Sequence, residues 1–140
     1  MQLRVKPWIY ALSARTARTA ALASAAVLML VLSAPVALAA DASVNLTNQN
    51  RFVPQTISIH VGQAVIWTNA SAAVHTVTDD PSLAAKPSDA SVPKGGATFN
   101  SGFLKSKDVF KHRFTVPGTY HYFCLLHEGL GMVGTVVVKR

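Results

Sequence analysis

From about residue 40 onward, apolar and polar positions in this chain alternate in twos. Ile57, Ile59 and Val61 interleave with Ser58 and His60, the pattern of a strand with one buried and one wet face. Gly62-Gln63 reads as a turn, and Ala64 to Asn69 as the next strand, with Val65 and Trp67 on one face. Val74 to Thr78 is a further β-branched run. Phe110, His112, Phe114 and Val116 alternate with Lys111, Arg113 and Thr115, and Pro117-Gly118 then turns the chain. Thr119 to Cys124 is rich in aromatics, and Met132 to Lys139 is a Val-rich closing strand. The 3.6-residue apolar rhythm of a long helix is missing from this region. Between Asp79 and Gly96 the alternation stops. Pro81, Pro87, Pro93 and Gly95-Gly96 predict a long loop, with one short helical turn near Ser82 to Ala85. Asp79 and Asp80 read as turn residues at its start. Many short strands punctuated by Gly, Pro, Asn and Asp predict an all-β, Greek-key β-sandwich.

The opening 39 residues follow another logic. Arg4, Lys6, Arg15 and Arg18 make it basic, with no acidic residue. An apolar run from Ala20 to Leu32 follows, and then Ala37-Leu38-Ala39, a small-x-small cleavage site. That order is a secretory signal peptide, and it places a domain on residues 40–140. The run is short for a bilayer span, which takes roughly 20 apolar residues, so cleavage is expected over retention as an anchor. The expected location is the periplasm or another extracytoplasmic space, with no stable membrane span afterwards. Removing this segment also changes the charge. The whole chain carries +7, but nine basic and six acidic residues follow Ala39, a balance of +3. With no run of like charge, nothing points to nucleic acid. A mild positive charge favours acidic partners only weakly.

Cys124 is the one cysteine. An exported chain meets oxidising conditions in which cysteines usually pair, and a single one has no partner in its own chain. It is therefore a buried inert thiol, a bridge to another chain, or a ligand. Its neighbours bear on the choice. His127 and Met132 follow at the spacing C-x2-H-x4-M, and Gly129, Gly131 and Gly134 let the backbone return on itself. Thiolate, thioether and imidazole together are a copper set, and His2Cys with a long axial Met describes an electron-transfer copper site. The second imidazole must come from elsewhere. His75 is the best candidate, lying among strand formers just before the Pro-rich loop. His112 is the alternative, although it shares a face with Phe110 and Phe114. His60 is expected at the surface, and His121 has the wrong parity to face the metal end with Cys124.

These motifs resemble the plastocyanin-like blue-copper proteins, the cupredoxins. The likeness runs through FVPQTISIHVGQAVIWTN (Phe52 to Asn69), VHTVT (Val74 to Thr78), FNSGFL (Phe99 to Leu104) and the stretch from Phe114 to Val138. It implies a sandwich with one type 1 copper at one end, held by His75, Cys124, His127 and Met132. The C-x2-H-x4-M spacing is closer to plastocyanins than to amicyanins. One departure is Thr76, where plastocyanins usually carry an Asn that ties the two ligand loops. The resemblance also places Phe123, expected to face outward, where plastocyanins have a surface tyrosine linked to docking. Leu125, Leu126 and Leu130, beside Gly131, would form an apolar patch around the edge of His127.

The function implied is that of a monomeric one-electron carrier, not an enzyme. Its partners would be proteins, such as a cytochrome or a membrane redox complex. A copper storage, delivery or resistance protein is the alternative. Such proteins favour exposed Met or His clusters, whereas two of the three methionines here, Met1 and Met29, lie in the signal segment. A multi-copper oxidase or nitrite-reducing enzyme needs more copper and more domains than this length holds. A metal-free sandwich with Cys124 in its core is the remaining reading.

Overall fold

The structure is a computed structural model that describes residues 40–140; the expected signal segment lies outside the described residues. Seven strands build it: β1 (Ala42–Leu46), β2 (Phe52–Val53), β3 (Thr56–His60), β4 (Ala64–Asn69), β5 (Val109–Arg113), β6 (Gly118–Phe123) and β7 (Val133–Lys139). They form two sheets, ordered β2-β1-β4-β5 and β3-β7-β6. β1 runs parallel to β4, and β3 parallel to β7, while the remaining pairs are antiparallel. Among the described residues there is no α-helix. The predicted all-β sandwich is therefore the observed fold.

The period-two pattern produces the core. Val44, Leu46, Val65 and Trp67 come from one sheet, and Ile59, Tyr120, Tyr122, Val136 and Val138 from the other; all are buried. Trp67 sits at the centre, with ring centroids 5.5 Å from Phe99, 5.6 Å from Phe110 and 5.4 Å from Tyr122. Such aromatic pairs add about 0.5–1.5 kcal/mol each beyond the area they bury. Tyr122 packs against Gly134, its partner across β6 and β7, and any side chain there would collide with the phenol ring.

Four expectations need correction. Val61 is 42 % exposed, because it has already left β3 for the turn at Gly62, whose φ is +92°. The long loop contains two 3-10 turns, Pro81–Leu83 and Pro87–Asp89, each opened by a proline that suits the first position. Phe123 is fully buried, not outward. The second edge of β6 is occupied by Thr78 and Ser91, so the side that parity alone assigns to solvent is covered at that end. Asp79 is also fully buried, and only Asp80 behaves as a turn residue, accepting from Ser82 N at 2.9 Å.

Candidate metal centre

Cys124 stands directly after β6, and the nine residues from Cys124 to Met132 close on themselves. Cys124 N donates to Met132 O (3.1 Å), His127 N to Cys124 O (3.1 Å) and Met132 N to His127 O (3.2 Å). A 3-10 turn at Glu128–Leu130 fills the bend. Gly131, at φ +76°, ends it in the left-handed region, where a side chain would be strained. His75 arrives on a separate segment. It makes a two-bond bridge with Leu104, His75 N to Leu104 O at 3.1 Å and Leu104 N to His75 O at 2.8 Å.

The structure brings three of the expected ligands together as His75, Cys124 and His127. His75 Nδ1 lies 3.2 Å from His127 Nδ1, and Cys124 Sγ lies 3.8 Å and 3.4 Å from those two nitrogens. A point equidistant from all three is about 2 Å from each. First-row metal bonds, taking zinc as the guide, run roughly 2.0–2.1 Å to imidazole and about 2.3 Å to thiolate. One ion of that kind therefore fits the donors as they stand. Met132 is fully buried in the same core cluster as Cys124, and its backbone is bonded to both loop ligands.

The surroundings of the three donors differ in burial and in hydrogen bonding. His75 and Cys124 are fully buried. Burial, and then the neighbouring His127, push the His75 pKa down. Thr76 N donates to Cys124 Sγ at 3.3 Å, and Thr76 Oγ1 accepts from Leu125 N at 2.8 Å. The hydroxyl thus ties the two ligand segments, so the departure at this position keeps the tie with another side chain. His127 is half-buried, and Leu125, Leu126 and Leu130 around it are 36 %, 50 % and 61 % exposed. The remaining histidines lie elsewhere. His112 packs against Phe99 and Phe114, both at 4.8 Å, and burial lowers its pKa. His60 is exposed, and His121 Nδ1 is 3.1 Å from Thr135 Oγ1.

Two residues that sequence reasoning passed over hold the ligand turn from outside. Arg51 Nη1 donates to Leu130 O (2.9 Å) and Gly131 O (3.1 Å). The Glu128 carboxylate accepts from Ala85 N and Lys86 N, both at 2.9 Å. The position of Glu128 beside His127 was the one available signal, whereas Arg51 is remote in sequence and gave none.

Two imidazole nitrogens and one thiolate around a single point, at the end of a Greek-key sandwich, define a type 1 copper protein. The family model for copper binding proteins of the plastocyanin/azurin family matches residues 40–139, and the chain belongs to that family. Its members carry electrons and are not enzymes. Plastocyanin from Chlamydomonas reinhardtii is 31 % identical over 142 residues, covering 96 % of this chain and 90 % of that protein. Plastocyanin from Tetradesmus obliquus is 33 % identical over 92 residues, and there the match spans 63 % of this chain but only 58 % of that protein's length. Among solved structures, a purple cupredoxin from Nitrosopumilus maritimus has TM-score 0.58 at 28 % identity, covering 71 % of this chain and all of that one. A Cu(I) form of an amicyanin variant has TM-score 0.55 at 26 % identity, covering 72 % and 84 %.

Proposed function

We propose that the chain is exported and passes single electrons between protein partners. In this reading His75 Nδ1, His127 Nδ1 and Cys124 Sγ would hold one copper ion, with the Met132 thioether as the fourth, weaker donor. The observation that carries it is the convergence of the three donor atoms, two of them fully buried, on a point at bonding distance from all. Copper bound there would supply one-electron exchange between Cu(II) and Cu(I).

The protein's own part is positional. The self-closed loop and the His75–Leu104 bridge keep the donor atoms in place whether the site is oxidised or reduced. The Thr76 amide donates to Sγ at 3.3 Å and so helps to hold the sulfur in position. Buried His75, Cys124 and Met132 would shield a bound ion from water on their side. Such a shielded site also suits a resident ion better than a transferable one, which disfavours storage or delivery. The half-buried edge of His127, ringed by the three exposed leucines, is the natural contact for a partner such as a cytochrome or a membrane redox complex. Export rests on the basic, apolar and small-residue order of residues 1–39, and N-terminal sequencing of the secreted protein should begin at or next to Ala40.

The decisive experiment is spectroscopic. The copper-loaded protein should absorb intensely in the visible and give a reversible one-electron wave in voltammetry. The Cys124→Ser variant should lose the absorption, because thiolate-to-copper charge transfer is its source. Colour retained without the thiol would sink the assignment.

A further inference from the structure

A second set of buried polar groups lies behind His75, on the side away from the cysteine. Asn69, Ser71 and His75 are 0 %, 2 % and 0 % exposed. His75 Nε2 is 2.9 Å from Ser71 Oγ, and Ser71 Oγ is 2.7 Å from Asn69 Oδ1. The direction of every proton in this chain follows from its far end. Asn69 Nδ2 donates to two backbone carbonyls, Ala73 O at 2.7 Å and Leu104 O at 2.9 Å. Carbonyls only accept, so the amide cannot be flipped. Asn69 Oδ1 is therefore the atom facing Ser71, where it also accepts from Ser71 N at 2.9 Å.

An amide oxygen has no proton to give. The short contact between Asn69 Oδ1 and Ser71 Oγ must then use the single hydroxyl proton of Ser71. The other acceptor within that hydroxyl's reach, Ala73 O at 3.1 Å, leads to the same result. With its proton committed, Ser71 Oγ can only accept, and it does so from Ala73 N at 3.2 Å and from His75. The nitrogen of His75 that bears hydrogen is thus Nε2. Nδ1, the atom that faces His127 and Cys124, carries a free lone pair.

We infer that Asn69 and Ser71 are positioning residues that fix the His75 tautomer, directing its Nδ1 lone pair at the metal point before any ion arrives. The inference rests on the ligand role proposed for His75 and adds to it the groups behind the ring. A partner on the far nitrogen of a metal-binding imidazole holds the ring's orientation and raises its basicity, and losing such a partner typically costs about 10- to 100-fold in metal affinity. Ser71 lies four residues before His75 and carries no motif, which is why sequence reading passed over it.

The test begins with the metal-free protein. Nitrogen-15 NMR should show His75 as a single tautomer protonated at Nε2; protonation at Nδ1, or rapid averaging of the two, would overturn the inference. Ser71→Ala should lose the single-tautomer signature and weaken Cu(I) affinity by roughly 10- to 100-fold, while Ser71→Thr, which keeps the hydroxyl, should restore both. Ser71→Ala with unchanged tautomer and affinity would also overturn it. Should the alanine variant fail to fold, the wild-type tautomer and the threonine variant still decide. Adding Cu(I) to the wild-type protein separates the two readings. If the His75 ring nitrogens do not respond, the ligand assignment fails even where the tautomer is as inferred.

Discussion

At the scale of single residues, the site is a matter of which atom each side chain presents. Two nearly identical Nδ1 atoms face one sulfur at 3.4 Å and 3.8 Å, and the buried Met132 backs the same loop. A methionine in that place tunes the site without building it. Met132→Leu should keep the visible absorption, since the thiolate remains, and should raise the reduction potential, because losing a weak sulfur donor disfavours the oxidised ion. Voltammetry of the variant checks this, and an unchanged or lowered potential would argue against Met132 as a donor. Much of the site was legible at this scale, because C-x2-H-x4-M puts three chemically distinctive residues within one bend. Thr76 was seen only as a departure. That its hydroxyl meets Leu125 N depends on two distant segments lying side by side, which no local pattern records. Phe123 failed for a related reason. Parity names the face of a strand, but the neighbouring chain decides whether that face is wet.

At the scale of elements, the ligand turn is a short piece of irregular backbone and takes its rigidity from neighbours. Arg51 grips its C-terminal end, and Glu128 anchors its start to the long loop through two amides. Carboxylate-to-amide bonds of this type contribute about 1.5–3 kcal/mol when well shielded, and less at a surface. Glu128→Ala should therefore destabilise the protein by about 1–2 kcal/mol and speed copper release, measurable by denaturant unfolding and by chelator competition. A loss of neither would mean that the turn is held by its internal bonds alone. The strands themselves were readable from period-two alternation and turn residues. The long loop was readable as a loop, but not as a structured one, because its order comes from Glu128, Thr78 and Ser91 meeting elements far away in sequence.

At the scale of the whole molecule, the least expected feature is the carboxyl of Asp79. It is fully buried, with one oxygen accepting from Phe99 N at 2.7 Å and the other without a partner. Burial raises its pKa from 3.8 to about 6. An unfolded aspartate loses its proton near pH 4, whereas this one keeps it to about 6, so within that window the folded form binds more protons. Stability should accordingly fall as pH rises from 4 to 6, by about 3 kcal/mol from this group. Denaturant unfolding across that range should show the slope, and Asp79→Asn, which stays neutral, should flatten it. An equal slope in the variant would place its origin elsewhere.

His75 and Cys124 stand 49 positions apart, on segments that meet through the Thr76 hydrogen bonds, the Thr78–Phe123 bridge and the shared core. A lone thiol leaves this chain unable to form an internal disulfide. An ion gripped by both segments does the same work, stapling them across the end of the sandwich in a way that a chelator reverses. At free ion 1,000-fold above its dissociation constant, such a staple adds about 4 kcal/mol. The loaded protein should melt well above the chelated one in calorimetry, and coincident melting curves would show that the segments hold together without it.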